Sequence, residues 1–137
     1  MAVKDIVNNL LQFLALFANI STDTTTAGAI IDTADFELGL MFALSSTDYT
    51  DGTYTLLIEE SDDSGMSGAV AITGDKLLGI LPVLSSVSVA GVALAKIGVI
   101  SNKRFVRVKI VSTSTSTGAD IQVIATEKAE TMSVVSP

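Results

Sequence analysis

Residues 36–60 decide the fold, and they read FELGLMFALSSTDYTDGTYTLLIEE. From Phe36 to Leu44 every second residue is large and apolar, which is the period of a β-strand with one apolar face. The segment from Tyr54 to Glu60 repeats the same period. Between the two lies Asp51-Gly52, a turn signal, because glycine, and aspartate less easily, accept the positive φ that tight hairpins need. The stretch therefore predicts two strands joined as a β-hairpin.

The rest of the chain after residue 28 carries the same kind of signal. Short apolar segments are separated by turn residues, and no helical pattern lies between them. Further strands are predicted at 69–72, 77–81, 87–92, 94–99, 104–111 and 121–126. The low-complexity run STSTSTG, which begins at Ser112, is predicted to be a loop between hairpin arms. We therefore expect an all-β fold, an antiparallel jelly-roll-like β-sandwich of about eight strands.

The N-terminal segment departs from this pattern. Its apolar residues fall at helical spacing: Val3, Ile6, Val7, Leu10, Leu14 and Phe17. Two interpretations stay open, a short helix or an arm that becomes an edge strand near Leu14. The expected organisation is an N-terminal arm over residues 1–20 and a single β-sandwich domain over residues 21–137.

The same segment also holds six large apolar residues within eight positions. They are Leu10, Leu11, Phe13, Leu14, Leu16 and Phe17. A helix buries only a stripe and a strand only alternate residues, so one sandwich cannot cover all six. We predict that they form a subunit contact; the alternative is that a loop such as 83–92 folds over them within one chain.

Composition and charge exclude several classes of protein. Hydrophobic residues make up 48% of the 137 residues and charged residues 17%, so the chain packs into a core rather than remaining disordered. The net charge of −7 opposes binding to nucleic acid or anionic lipid. The cationic stretch NKRFVRVKI, residues 102–110, is interpreted as a strand with a solvent-facing basic side. No nucleic-acid partner is expected.

Two apolar stretches superficially resemble membrane or export signals. Residues 77–95 carry no charge, but Pro82 and two glycines interrupt them, as in buried strands joined by turns. The N-terminal apolar patch has no small-residue cleavage site after it, and Asp5 cancels the charge of Lys4. We expect no membrane partner and no cleaved leader.

The sequence lacks most of the residue types that enzymes use for catalysis. Histidine and cysteine are absent, which removes the usual general base, the usual triads and thiolate metal sites. Six of the fifteen acidic residues lie between Asp48 and Asp63. Glu59 and Glu60 are adjacent on a strand and point to opposite faces, unlike the convergent pair of a glycosidase, and tryptophan is absent. We predict no enzyme activity, no cofactor and no metal site.

The acidic loop that follows the strand leaves two interpretations open. Asp62 and Asp63 are hard oxygen ligands of the kind that calcium prefers, or they form a solvated acidic turn at a sheet edge. Glu60 shares a strand face with Leu56 and Ile58, and Arg104 shares one with Val106. We predict that Glu60 and Arg104 form an ion pair at the rim of the core, with the two aspartates in water.

Three motifs carry a resemblance to a known family. KDIVNNLL near the start, YTLLIEESDDSG at residues 54–65 and IGVISNKRFVRVKIV at residues 97–111 resemble small virion proteins of tailed bacteriophages. In those proteins DIxxNL precedes TxxLQESDDG and xGYIGNKRYVRV. This chain differs in having Glu59 in place of glutamine, an additional Ser64, and Val99 and Ser101 in place of an aromatic residue and a glycine.

The resemblance implies a structural role. Its members are similar to capsid cement or decoration proteins with a jelly-roll fold, which bind the outer capsid surface of an icosahedral shell and bridge its capsomers. It implies the major capsid protein as partner, a homo-oligomer, dimer or trimer, on the shell, and a virion location after assembly in the host cytoplasm. The alternatives are a receptor- or carbohydrate-binding virion module with a calcium-assisted acidic loop, and a tail or head–tail connector subunit.

Overall fold

In a computed structural model, two antiparallel β-sheets pack face to face. The structure describes residues 10–34, 40–85 and 95–128. The strands are β1 Leu10–Ile20, β2 Thr25–Ala27, β3 Ile31–Asp32, β4 Leu40–Ser46, β5 Thr53–Ser61, β6 Val70–Ala71, β7 Leu77–Leu78, β8 Val83–Leu84, β9 Ala95–Val99, β10 Phe105–Thr113 and β11 Ala119–Lys128. A short 3-10 helix, Gly74–Lys76, precedes β7.

The order of the strands is that of a jelly roll. The five-stranded sheet runs β1-β11-β4-β9-β7, and the six-stranded sheet runs β2-β10-β5-β6, with β3 against β10 and β8 against β5. Eight strands remain when β3, β7 and β8 are left out. Numbered along the chain, these eight follow the order 1-8-3-6 in one sheet and 2-7-4-5 in the other, as in two interlocked Greek keys. The predicted all-β sandwich is confirmed.

The core lies between the two sheets and follows from the period of two. In the six-stranded sheet Ile58 of β5 pairs with Val108 of β10, and both side chains are almost fully buried. In the five-stranded sheet Phe42 of β4 and Val123 of β11 face them. Each fully buried side chain of this size contributes roughly 1.5–3 kcal/mol, which makes this double layer the main source of stability.

The predicted hairpin at Asp51-Gly52 is wrong. β4 belongs to the five-stranded sheet and β5 to the six-stranded sheet, so residues 47–52 cross between the sheets. Both strands carry a complete apolar face, and these faces are buried by packing against each other across the core. Gly52 still supplies the positive φ, +103°, that the turn needs. The STSTSTG segment is likewise a crossing, from β10 to β11, and not the end of a hairpin.

Of the two interpretations of the N-terminal segment, the edge strand is confirmed, and it begins at Leu10, earlier than the expected Leu14. β1 forms one edge of the five-stranded sheet and pairs along its whole length with β11. Residues 1–9, the first part of the alternation at 36–39, and the strand predicted at 87–92 lie outside the described residues. In the part of the chain that is described, no helix has the length and apolar character to cross a membrane.

Candidate protein-binding face

The outer face of the five-stranded sheet carries apolar residues from four of its strands, with polar residues between them. Register places Leu14 of β1 beside Ile124 of β11, which lies beside Ala43 of β4. A neighbouring row runs from Met41 of β4 through β9 to Leu78 of β7. We call the apolar face the group Leu14, Phe17, Met41, Ala43, Leu78 and Ile124.

A β-bulge produces the exposure at the β1 end of this face. Leu14 pairs with Ile124 and Leu16 with Val123, so Ala15 is an extra residue in β1. Ala15 and Leu16 are both buried in the core, which leaves Leu14 and Phe17 on the outside with 52% and 60% of their surface exposed. The bulge therefore resolves the crowding of apolar residues in β1 by directing two large side chains outward.

The centre of the face is lined by small residues. Ala43 and Ser45 alternate with the core residues Phe42 and Leu44 and so point outward, but their larger neighbours leave each of them only 9% exposed. Gly98 lies directly beneath the side chain of Leu78. A surface with small residues at its centre and large apolar ones around them is flat enough for another sheet to approach closely.

The opposite outer face of the sandwich carries a cluster of three charges at its centre. Glu59 of β5 accepts hydrogen bonds from Arg107 of β10, with Nε at 2.8 Å, and forms a salt bridge with Lys109 at 3.2 Å. Burial raises the pKa of Glu59, but Arg107 and Lys109 outweigh it and hold that pKa below its ordinary value. The charges at the centre of this face pair with each other, whereas the centre of the other outer face is lined by small uncharged residues, which is the character of a protein interface core.

The backbone edge of β1 is partly covered by its own chain. The carbonyl of Ala15 accepts a hydrogen bond from the amide of Ala29 at 2.9 Å. Gly28 lies so close that a Cβ there would be 2.2 Å from the same oxygen. An open groove lined by residues 14–17 and 26–29 remains between the two segments. This contact ties the edges of the two sheets together.

Glu60 is the most deeply buried charged side chain among the described residues. Its carboxylate accepts hydrogen bonds from Lys76 Nζ at 2.5 Å, Ser101 Oγ at 2.7 Å and the amide of Asn102 at 3.0 Å. Burial raises its pKa, but these donors, Lys76 above all, outweigh burial and lower the pKa. Glu60 thus holds both the 3-10 helix and the turn before β10 against the end of β5.

The predicted Glu60–Arg104 pair is therefore replaced by two others. Glu60 faces inward as expected, but Arg104 lies in the bend before β10 and does not follow the alternation of that strand. Its guanidinium donates to both carboxylate oxygens of Asp32, Nε and Nη2 each at 2.8 Å. Arg104 pairs with Asp32 because register places that residue beside Phe105.

The acidic loop takes the form of a solvated turn. Asp63 accepts hydrogen bonds from the amides of Gly65 and Ser67, and Asp62 forms an exposed salt bridge with Lys103. Met66 in this turn has a positive φ of 67° and is buried. Among the described residues, no group of three or more acidic side chains is placed to hold a metal ion.

At the other end of the sandwich, carboxylates hold the STSTSTG segment. Asp51 accepts hydrogen bonds from the amides of residues 116–118, with Gly118 at 2.8 Å, and from the hydroxyl of Ser116 at 2.6 Å. The hydrogen bond from Ser116 and these amides lower the pKa of Asp51 to about 2. Asp23 accepts from the amide of Thr115 in the same way. These hydrogen bonds join the crossing that follows β10 to the crossings that follow β1 and β4.

The structure separates the six apolar residues that the sequence grouped into one contact. Leu14 and Phe17 are exposed on the apolar face, and Leu16 is buried in the core. Leu10, Leu11 and Phe13 lie in β1, and their side chains are outside what the structure describes. The other members of the apolar face were not predicted from the sequence, although the period of two already placed Met41 opposite the predicted inward face: they are Met41, Ala43, Leu78 and Ile124.

Comparison with known proteins adds no relative. No protein-family model, curated protein or solved structure matches the chain.

Proposed function

We propose that the chain is a structural protein of a bacteriophage virion, a cement or decoration protein that binds the outside of an icosahedral shell and bridges its capsomers. The observation that carries the proposal is the apolar face, which leaves Phe17 and Leu78 each 60% exposed. Contiguous exposed apolar patches mark protein–protein contacts. Such a chain works in contact with other subunits, and the motifs shared with phage virion proteins indicate the major capsid protein as partner.

The two ends of the sandwich support the same role. At one end Asp51 and Asp23 accept hydrogen bonds from a crossing loop. At the other end Glu60 forms a salt bridge with Lys76 and accepts a hydrogen bond from Ser101. Loops fixed in this way lose little conformational entropy on binding, which favours a rigid cement between larger subunits. The contacts of Asp63 with backbone amides favour a structural turn over the calcium-assisted binding loop.

A cosedimentation experiment tests the proposal. Purified full-length chain is mixed with shells of the parent phage that have been depleted of it, and the bound fraction is measured. The matched variants are Phe17→Asp, on the apolar face, and Thr113→Asp, at the exposed end of β10. Each adds one negative charge, but only Phe17→Asp places it within an apolar contact.

We expect saturable binding of the wild type and of Thr113→Asp, at many copies per shell, and loss of binding by Phe17→Asp. Binding at only a few copies per particle would favour a connector subunit. No binding of the wild type to depleted shells would refute the proposal.

A further inference from the structure

Two charged side chains lie on the outer face of the five-stranded sheet. Register places Lys96 of β9 beside Ala43, and Asp120 of β11 beside Asn19. No other charged residue whose side chain is described shares this face. The described charges of this face therefore sum to zero on a chain whose net charge is −7, so two such faces repel each other less than other parts of the surface do.

Lys96 differs from the other cations. Each other cation with a described side chain has an ion-pair partner: Lys76, Lys103, Arg104, Arg107 and Lys109. Lys96 is exposed and has no such partner within the described part of the chain. Asp120 Oδ1 accepts a hydrogen bond from Asn19 at 2.7 Å, whereas its Oδ2 has none from the described residues. One open cation and one open carboxylate oxygen thus share a face.

The positions of these two residues fit a two-fold axis. β4 lies between β9 and β11, and Ser45 is one step further along β4 than Ala43, the neighbour of Lys96. Ser45 pairs with Gln122, which is one step from Asp120 on the same face. Ser45 therefore lies midway between Lys96 and Asp120. A two-fold axis that lies in the contact plane, passes over Ser45 and runs perpendicular to the line from Lys96 to Asp120 brings Lys96 of each copy to Asp120 of the other.

The area of the face fits a weak, reversible contact. Three strands with about six residues each in the face, together with the five residues of β9 and the two of β7, cover roughly 400 Å² at a strand spacing of about 4.8 Å and a rise of about 3.4 Å. Two copies would bury about 800 Å² in total, which is the size of a transient interface. The small residues Ala43, Ser45 and Gly98 at the centre allow the two sheets to pack at about 10 Å.

The edge of β1 is a less suitable site for a second copy. A strand added there would compete with Ala29, whose amide already donates to the bulge carbonyl of Ala15. Gly28 also lies close to the same oxygen, which leaves little space for an added strand at that edge. The outer face remains as the larger available surface.

We infer that the apolar face binds a second copy of the chain, in a two-fold, face-to-face dimer in which Lys96 of each copy pairs with Asp120 of the other. Such a dimer presents every remaining surface twice, and bridging two capsomers requires this. The inference uses the same apolar face as the proposed function: the dimer buries this face, the shell is bound through the remaining surface, and Phe17→Asp loses shell binding because it loses the dimer that bridges two capsomers. A dimer that fails to bind shells would contradict only that function, and a monomer that binds shells would contradict only this inference.

Sedimentation velocity of the full-length chain over a range of concentrations tests the inference. The variants are Lys96→Glu, Asp120→Lys, the double exchange of both, and Ala43→Arg at the centre of the face. Lys103→Glu, in an exposed salt bridge outside the face, changes the net charge as much as Lys96→Glu and serves as the control. Thermal melting of each variant verifies that it is folded.

We expect a wild-type dimer and an unchanged Lys103→Glu dimer. Each single charge reversal should weaken dimerisation by about a hundred-fold, because two symmetry-related pairs become repulsive, and the double exchange should recover it to within about three-fold. Folded Ala43→Arg should be monomeric. A monomeric wild type, a dimer indifferent to Ala43→Arg, or a double exchange that fails to recover the affinity would overturn the inference.

Discussion

Replacing Glu60 by glutamine should destabilise the chain by about 2 kcal/mol. The carboxylate is fully buried and accepts three hydrogen bonds, one of them from the ammonium of Lys76. Glutamine keeps the size and one acceptor oxygen but loses the charge and turns an amide NH2 toward a donor. A hydrogen bond to a charged group contributes about 1.5–3 kcal/mol, and Lys76 is 33% exposed and can rehydrate, so the lower part of that range applies.

Chemical denaturation and thermal melting measure this effect. In a domain of this size, about 2 kcal/mol corresponds to a fall in Tm of about 6–10 °C. The matched control is Asp62→Asn, which removes a carboxylate whose side chain is 73% exposed and should cost within about 0.5 kcal/mol. A double-mutant cycle of Glu60→Gln with Lys76→Met should give a coupling energy of about 1 kcal/mol or more.

The effect should depend on pH in a defined direction. The pKa of Glu60 is lowered in the folded state below its ordinary value of 4.5, so its contribution is fully present above pH 4.5. It is lost as the pH falls through the folded-state pKa, where wild type and Glu60→Gln should converge. Equal stabilities at pH 7, or a difference that grows below pH 4, would refute the reasoning.

Three further predictions concern loops and the β-bulge. Asp51→Ala should expose the amides of Ser116–Gly118 to rapid hydrogen exchange, and in the wild type the chemical shifts of these amides should follow the titration of the Asp51 carboxyl near pH 2; protection unchanged by the substitution would contradict the assignment. Gly118→Ala should destabilise by about 2–4 kcal/mol in denaturation, because φ is +102° and a Cβ would lie 2.0 Å from a backbone oxygen; a neutral result would exclude that packing. Leu16→Ala should cost about 2–4 kcal/mol and Leu14→Ala within about 0.5 kcal/mol; equal costs would show that the bulge is misplaced.

Alternation in the sequence predicted the strands well, because burial of one face leaves a period of two. β10 and β5 show it clearly, with Val106, Val108 and Ile58 buried as expected. The partner of each strand could not be predicted in the same way. Alternation shows that one face of a strand is buried, but it does not show which strand is paired with it. The Asp51-Gly52 signal specifies only a turn, and a turn can join two strands of one sheet or cross between two sheets.

The candidate sites were harder to predict, for two physical reasons. Glu60 was correctly expected to face inward, but its partner Lys76 comes from a short 3-10 helix for which the sequence shows no strong periodicity. The contribution of β1 to the apolar face, Leu14 and Phe17, depends on the bulge at Ala15, which shifts the alternation of β1 by one residue. Neither a loop contact nor a bulge leaves a repeating pattern, so a structure is needed to locate either.

A cryo-EM reconstruction of the phage particle is the most direct test of the proposed shell function. The account predicts jelly-roll density at many equivalent positions on the outer surface, in pairs that bridge neighbouring capsomers. The apolar faces of each pair, with Phe17 and Ala43, should be buried in the contact between the two copies. Density confined to the tail or to a single vertex, or absence of the chain from the particle, would contradict it.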